Sequence, residues 1–171
     1  NDYVGGHTNP IIVNDLGNDI PVDTGFIVLN DRNYPLFRRL LSELQITYKP
    51  TDMSFGVKCS DDGLEYSGTN LNGFFAQRKN LASWKHYGLL KTIIRFNHVA
   101  NAMTDLQLTS LSVEQFFRQN KFSEQFIWKY FVPMGAAIWS CPFKKFMSFP
   151  MRFVVEFFRN HGLLTLHNRP Q

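Results

Sequence analysis

Met53-Ser54-Phe55-Gly56-Val57-Lys58-Cys59-Ser60-Asp61-Asp62-Gly63-Leu64-Glu65-Tyr66 is the stretch at which the chain changes its period. Two short β-prone runs flank Ser60-Asp61-Asp62-Gly63, and an Asp-Gly pair tolerates the positive φ of a tight turn, so the stretch reads as a hairpin. Ahead of it the pattern is strand and turn. Ile11-Ile12-Val13 and Phe26-Ile27-Val28-Leu29 are β-prone runs, and Asn14-Asp15-Leu16-Gly17-Asn18 is a turn signal. Ile46-Thr47-Tyr48 is expected to join the hairpin as a third antiparallel strand. One helix interrupts this half: Pro35 suits a first turn, and Phe37, Leu40, Leu41 and Leu44 recur at helical spacing.

Beyond the hairpin, from Leu81, the period is almost wholly helical. Leu89, Leu90, Ile93, Ile94, Asn97 and Ala100 read as one face of a long helix. Ser112-Val113-Glu114-Gln115 is a capping box, and Ser123 starts another helix behind Phe122. A last helix begins near Pro150, buries Met151, Val154, Val155 and Phe158, and stops at Gly162. The expected fold is α+β: a small, mostly antiparallel sheet packed with five or six helices in a single domain over residues 1–171.

Composition narrows the classes. The chain has 171 residues, 44% hydrophobic and 15% aromatic, with 17 Phe, which excludes a disordered chain. Two cysteines make no disulfide framework. The longest uncharged apolar run, Tyr130 to Phe143, is interrupted by Pro133 and Gly135 and falls short of the ~20 residues of a membrane span. The net charge of +4 is uneven: residues 1–31 hold five Asp and no Lys or Arg, while residues 142–171 hold five Lys or Arg and one Glu. That density is too low for a nucleic-acid surface, so no nucleic-acid partner is expected. The termini carry neither a signal peptide nor a helix cap, which reads as a piece of something longer, with a cytoplasmic location expected.

Ligand chemistry leaves few candidates. His7, His86, His98, His161, His167, Cys59 and Cys141 lack metal-ligand spacing, so no metal is expected. There is no Gly-x-Ser-x-Gly elbow, no Gly-x-Gly-x-x-Gly and no P-loop. Gly5-Gly6-His7-Thr8 and Asp23-Thr24-Gly25-Phe26 are glycine-bearing turns at which backbone can approach a ligand. Pro133-Met134-Gly135-Ala136-Ala137-Ile138-Trp139 reads either as an apolar pocket wall or as a tight helix crossing. Phe143 to His161 interleaves Phe with Lys144, Lys145, Arg152 and Arg159. It reads as a membrane-surface helix or, favoured by the break at Pro150, as a core helix with solvated cations.

Together these stretches resemble a known family. Gly5-Gly6-His7-Thr8, Val22-Asp23-Thr24-Gly25-Phe26-Ile27-Val28, Asn30-Asp31-Arg32, Tyr34-Pro35, Phe75-Ala76-Gln77-Arg78, Pro133 to Trp139 and Phe157 to Leu163 are similar to the flavin-containing amine oxidase superfamily. The likeness is to its bacterial branch of predicted NAD/FAD-binding proteins. The resemblance implies an FAD-dependent oxidoreductase in which the flavin accepts a hydride from a small, apolar substrate. It implies that Gly5, Gly6, His7 and Thr8 lie along the FAD, with Thr24, Gly25 and Phe26 near its isoalloxazine. His7 stands where many relatives have Arg and lacks that side chain's fixed charge and fork of donors. Residues 1–30 would then be the edge of the FAD region and 31–171 the substrate domain, with Met134, Gly135 and Trp139 at the substrate. The dinucleotide fingerprint is absent from the chain, so the isolated piece is expected to be inactive and to retain little FAD. It is also expected to be able to self-associate. A different class, a non-catalytic lipid- or protein-binding module built on the basic-aromatic last third, is the competing expectation.

Overall fold

The computed structural model describes residues 6, 8–25, 29–51 and 55–164. Two compact units divide between Lys49 and Pro50. The fold is α+β, with two separate two-stranded antiparallel sheets.

In the first unit, β1 (Pro10–Asp15) and β2 (Asn18–Asp23) pair in register from Pro10↔Asp23 to Asp15↔Asn18. Leu16 and Gly17, both at positive φ (49° and 87°), make the two-residue turn, the geometry whose twist matches a hairpin. The second strand is thus Asn18–Asp23. Of the expected run Phe26–Leu29, residues 26–28 lie outside the described residues. Pro21 is tolerated because each strand of a two-stranded ribbon is an edge. Helix α1 spans Pro35–Glu43.

Ile46-Thr47-Tyr48 is not a strand, which corrects the three-strand expectation. Its first donor is already used: Ile46 N–H reaches Leu41 O at 2.9 Å and Gln45 N–H reaches Ser42 O at 3.1 Å, closing α1 around Gln45 at φ 55°. Tyr48 Oη accepts from Arg38 Nε at 3.1 Å, back on the helix.

The second unit opens with the expected hairpin, β3 (Gly56–Lys58) against β4 (Glu65–Ser67), with Gly63 at φ 64° in its loop. Helices follow: α2 (Leu71–Phe74), a 3₁₀ turn (Arg78–Ala82), α3 (Trp84–Ala102), α4 (Asp105–Thr109), α5 (Val113–Gln119) and α6 (Glu124–Phe126). A π turn (Ile127–Phe131) leads into α7 (Val132–Trp139), then α8 (Phe143–Met147) and α9 (Met151–Asn160). The pieces are more numerous and shorter than the five or six helices expected, because capping signals and prolines break the helical half repeatedly. One such signal, Thr104-Asp105-Leu106-Gln107, is a second capping box: Gln107 Oε1 accepts from Thr104 N–H at 2.9 Å.

Phenylalanine builds the core of this unit. Phe96, Phe116, Phe117, Phe126, Phe131, Phe146 and Phe158 are all buried. On α3 the buried stripe is Leu89, Ile93, Phe96 and Ala100; Ile94, expected inside, is 36% exposed. Arg159 ties α9 to the end of α3, its Nη2 donating to Ala100 O at 2.8 Å and to Met103 O at 3.0 Å while Nη1 pairs with Asp105 at 3.2 Å.

Gly88 has no packing reason to be glycine, since a Cβ there would meet nothing within 4 Å. Gly88→Ala is expected to stabilise the protein by about 0.5–1 kcal/mol through lower unfolded-chain entropy. A thermal melt reads this directly; an unchanged or lower midpoint would contradict it.

Candidate functional site

The resemblance points first to the open end of the β1–β2 hairpin. Register carries the strands past Pro10↔Asp23, so Asn9 faces Thr24. Thr24 fastens that end twice: its N–H donates to Asn9 O at 3.3 Å and its Oγ1 to the same oxygen at 2.6 Å. Asn9, which follows Thr8, is thereby held beside Thr24, 15 residues on in sequence. Thr8, Thr24 and Gly25 are exposed. Gly6 sits at φ 61°, in the left-handed region that favours glycine, and a Cβ on it would meet nothing within 4 Å. Gly5, His7 and Phe26 lie outside the described residues.

Above this end the hairpin is two-faced. Ile11 and Val13 stand opposite Val22 and Ile20 on one face, and all four are 42–49% exposed. Ile12 and Pro21 occupy the other face with Asn14 and Asp19, whose side chains bond at 2.8 Å.

In the second unit the structure places Met134 and Gly135 inside the core and Trp139 at its half-buried margin. Gly135 permits a close helix approach: a Cβ on it would fall 2.0 Å from Cζ of Phe146 on α8. Trp139 stacks on Phe146 at 5.5 Å and lies 4.9 Å from Phe157 and 5.4 Å from Phe153. With Ile138 36% and Phe153 48% exposed, this aromatic cluster reaches the surface. In α9, Met151, Val154, Val155 and Phe158 are fully buried, so its apolar face belongs to the core.

One polar device was not read from the sequence. Tyr66 Oη donates to Lys129 O at 2.6 Å. The signal was Pro133: four residues beyond Lys129, it has no N–H to give that carbonyl, and the helix loosens there into its π turn. Burial pushes the Tyr66 phenol well above its ordinary range, keeping it a donor. Tyr66→Phe is expected to cost about 1–2 kcal/mol by leaving a half-buried carbonyl short of its partner. Urea denaturation measures the loss, and an unchanged midpoint would remove this role.

Three further groups, the Asp62–Lys129 pair, Cys59 and His86, belong to the packing of this unit. Lys129 Nζ pairs with Asp62, holding that carboxyl below the usual carboxylate range. Burial raises the Cys59 thiol, which disfavours the nucleophilic thiolate. Buried His86 donates from Nε2 to Phe74 O at 2.8 Å and stacks on the Phe74 ring at 4.1 Å. Among the described residues no three His, Cys, Asp or Glu side chains are grouped to hold a metal ion. Among them, too, no helix is long and apolar enough to cross a membrane. No family model and no curated protein matches this chain.

Proposed function

We propose that this chain supplies the cofactor-edge hairpin and the substrate domain of an FAD-dependent oxidoreductase resembling the amine oxidase superfamily. The observation that carries the reading is the double fastening of Thr24 to Asn9, which brings together two segments that the resemblance assigns to one cofactor. The described residues fit such a group: Thr8, Thr24 and Gly25 are small and exposed at the hairpin end, which suits the approach of a flat ring system. The bound flavin would supply the hydride acceptor. Thr8 and Gly25 would line its edge, and Thr24 would hold that edge in shape, its hydroxyl proton being spent on Asn9. Gly5, His7 and Phe26 complete the proposed set.

An apolar substrate is favoured by the aromatic cluster at Trp139. Met134 and Gly135 would act beneath it, setting the α7–α8 approach that presents the indole. Two free, half-buried cysteines suit a reducing, cytoplasmic compartment. The test uses a protein that joins this chain to a dinucleotide-binding segment. There, Gly25→Val is expected to lower FAD retention, while Leu16→Ala, at the hairpin tip about 20 Å away along the six-residue strands, leaves it unchanged. Equal retention by both variants would overturn the assignment of the hairpin end.

A further inference from the structure

The outer face of α3 has no use in the flavin reading. Trp84, Tyr87, Gly88 and Lys91 recur at i, i+3, i+4 and i+7, opposite the stripe that enters the core. Trp84 is 90% exposed, an unusual cost for the largest apolar side chain, and Tyr87 is 43% exposed. Leu81, on the preceding 3₁₀ turn, is 51% exposed.

The charge around this face is one-sided. Residues 66–104 contain Arg78, Lys79, Lys85, Lys91 and Arg95 and no Asp or Glu. The carboxylates bounding the segment are engaged: Glu65 pairs with Lys58 at 2.7 Å, and Asp105 with Arg159 at 3.2 Å. Arg78 and Arg95 spend donors on backbone oxygens, of Phe75 at 3.2 Å and of Asn120 at 2.6 Å. Lys79 acts on Glu65 through space, and Lys79, Lys85 and Lys91 form no ion pair among the described residues. An exposed indole and phenol set among unpaired ammonium groups are the side chains that settle at a bilayer interface bearing negative headgroups.

We propose that Trp84, Tyr87 and Lys91 on this face, with Lys85 on its flank and Lys79 and Leu81 on the preceding 3₁₀ turn, dock the protein on an anionic lipid bilayer. The aromatic side chains enter the headgroup layer and the lysines meet its charge. Docking of this kind requires no membrane-spanning segment. It is independent of the flavin reading.

Flotation of the chain with vesicles of phosphatidylcholine, with and without phosphatidylglycerol, tests it. Binding is expected only with the anionic lipid and is expected to fall steeply with salt. Lys85→Glu with Lys91→Glu, and separately Trp84→Ser, are each expected to weaken partitioning about tenfold or more. Leu16→Ala, in the exposed hairpin turn of the first unit, serves as a folded control and leaves binding unchanged. No flotation with anionic vesicles would overturn the proposal. So would undiminished binding by either class of variant, or binding to an oligothymidylate in place of vesicles.

Discussion

Gly135→Ala is expected to destabilise the second unit by about 2–3 kcal/mol or more, although it adds one methyl group. The new Cβ would lie 2.0 Å from Phe146 Cζ and 2.2 Å from its Cε1. The ring has nowhere to go: Phe146 is fully buried and faces Phe131, Trp139 and Phe149, each 5.5 Å away between centroids. Relief therefore requires α7 and α8 to separate, and that exposes Trp139 on the same contact. Phe146→Leu shortens the side chain that meets the methyl. The double variant should lose clearly less than the sum of the two single losses, by about 1 kcal/mol or more. Additive losses in denaturant melts would mean that the two positions do not share this contact.

Phe96→Ala is expected to cost about 3–5 kcal/mol. Phe96 is 1% exposed. Its ring centroid lies 5.1 Å from Phe131, 5.4 Å from Phe126, 6.0 Å from Phe122, and 6.2 Å from both Phe116 and Phe117. Truncation opens a cavity whose walls are other rings, rigid groups that collapse poorly into it. Ile94→Ala, two residues away on the solvent side of α3, is expected to cost well under half as much. Equal losses at the two positions would show that the buried stripe has been assigned to the wrong face.

That stripe shows where sequence patterning was ambiguous. On α3 the apolar positions Leu89, Leu90, Ile93, Ile94 and Phe96 cover more than one face, so periodicity alone admits two rotations of the helix. Packing decides between them, because Phe96 meets rings from α5, α6 and the π turn, contacts no local pattern encodes. Local chemistry was legible where it is self-contained. Ser112 and Gln115 cap each other, with Ser112 N–H to Gln115 Oε1 at 2.9 Å. Gly162, at φ 65°, closes α9 through Leu163 N–H to Phe158 O at 2.8 Å.

Strand β2 was hidden because Asn18, Asp19, Pro21 and Asp23 are poor strand formers. Its strand character comes from pairing with β1 across a two-residue turn. For the candidate site, the sequence showed which glycine-bearing segments to compare. Their adjacency depended on that hidden strand, since β2 is what returns Thr24 to Asn9. The role of Gly135 was open between pocket wall and crossing, and the Phe146 ring supplies the close approach a crossing needs.

The most direct test of the functional reading is the absorption spectrum of a protein purified with this chain joined to a dinucleotide-binding segment. The account predicts the visible bands of flavin at a stoichiometric level, bleached anaerobically by a reductant. A folded protein with no flavin absorbance, and none gained on incubation with FAD, would contradict it.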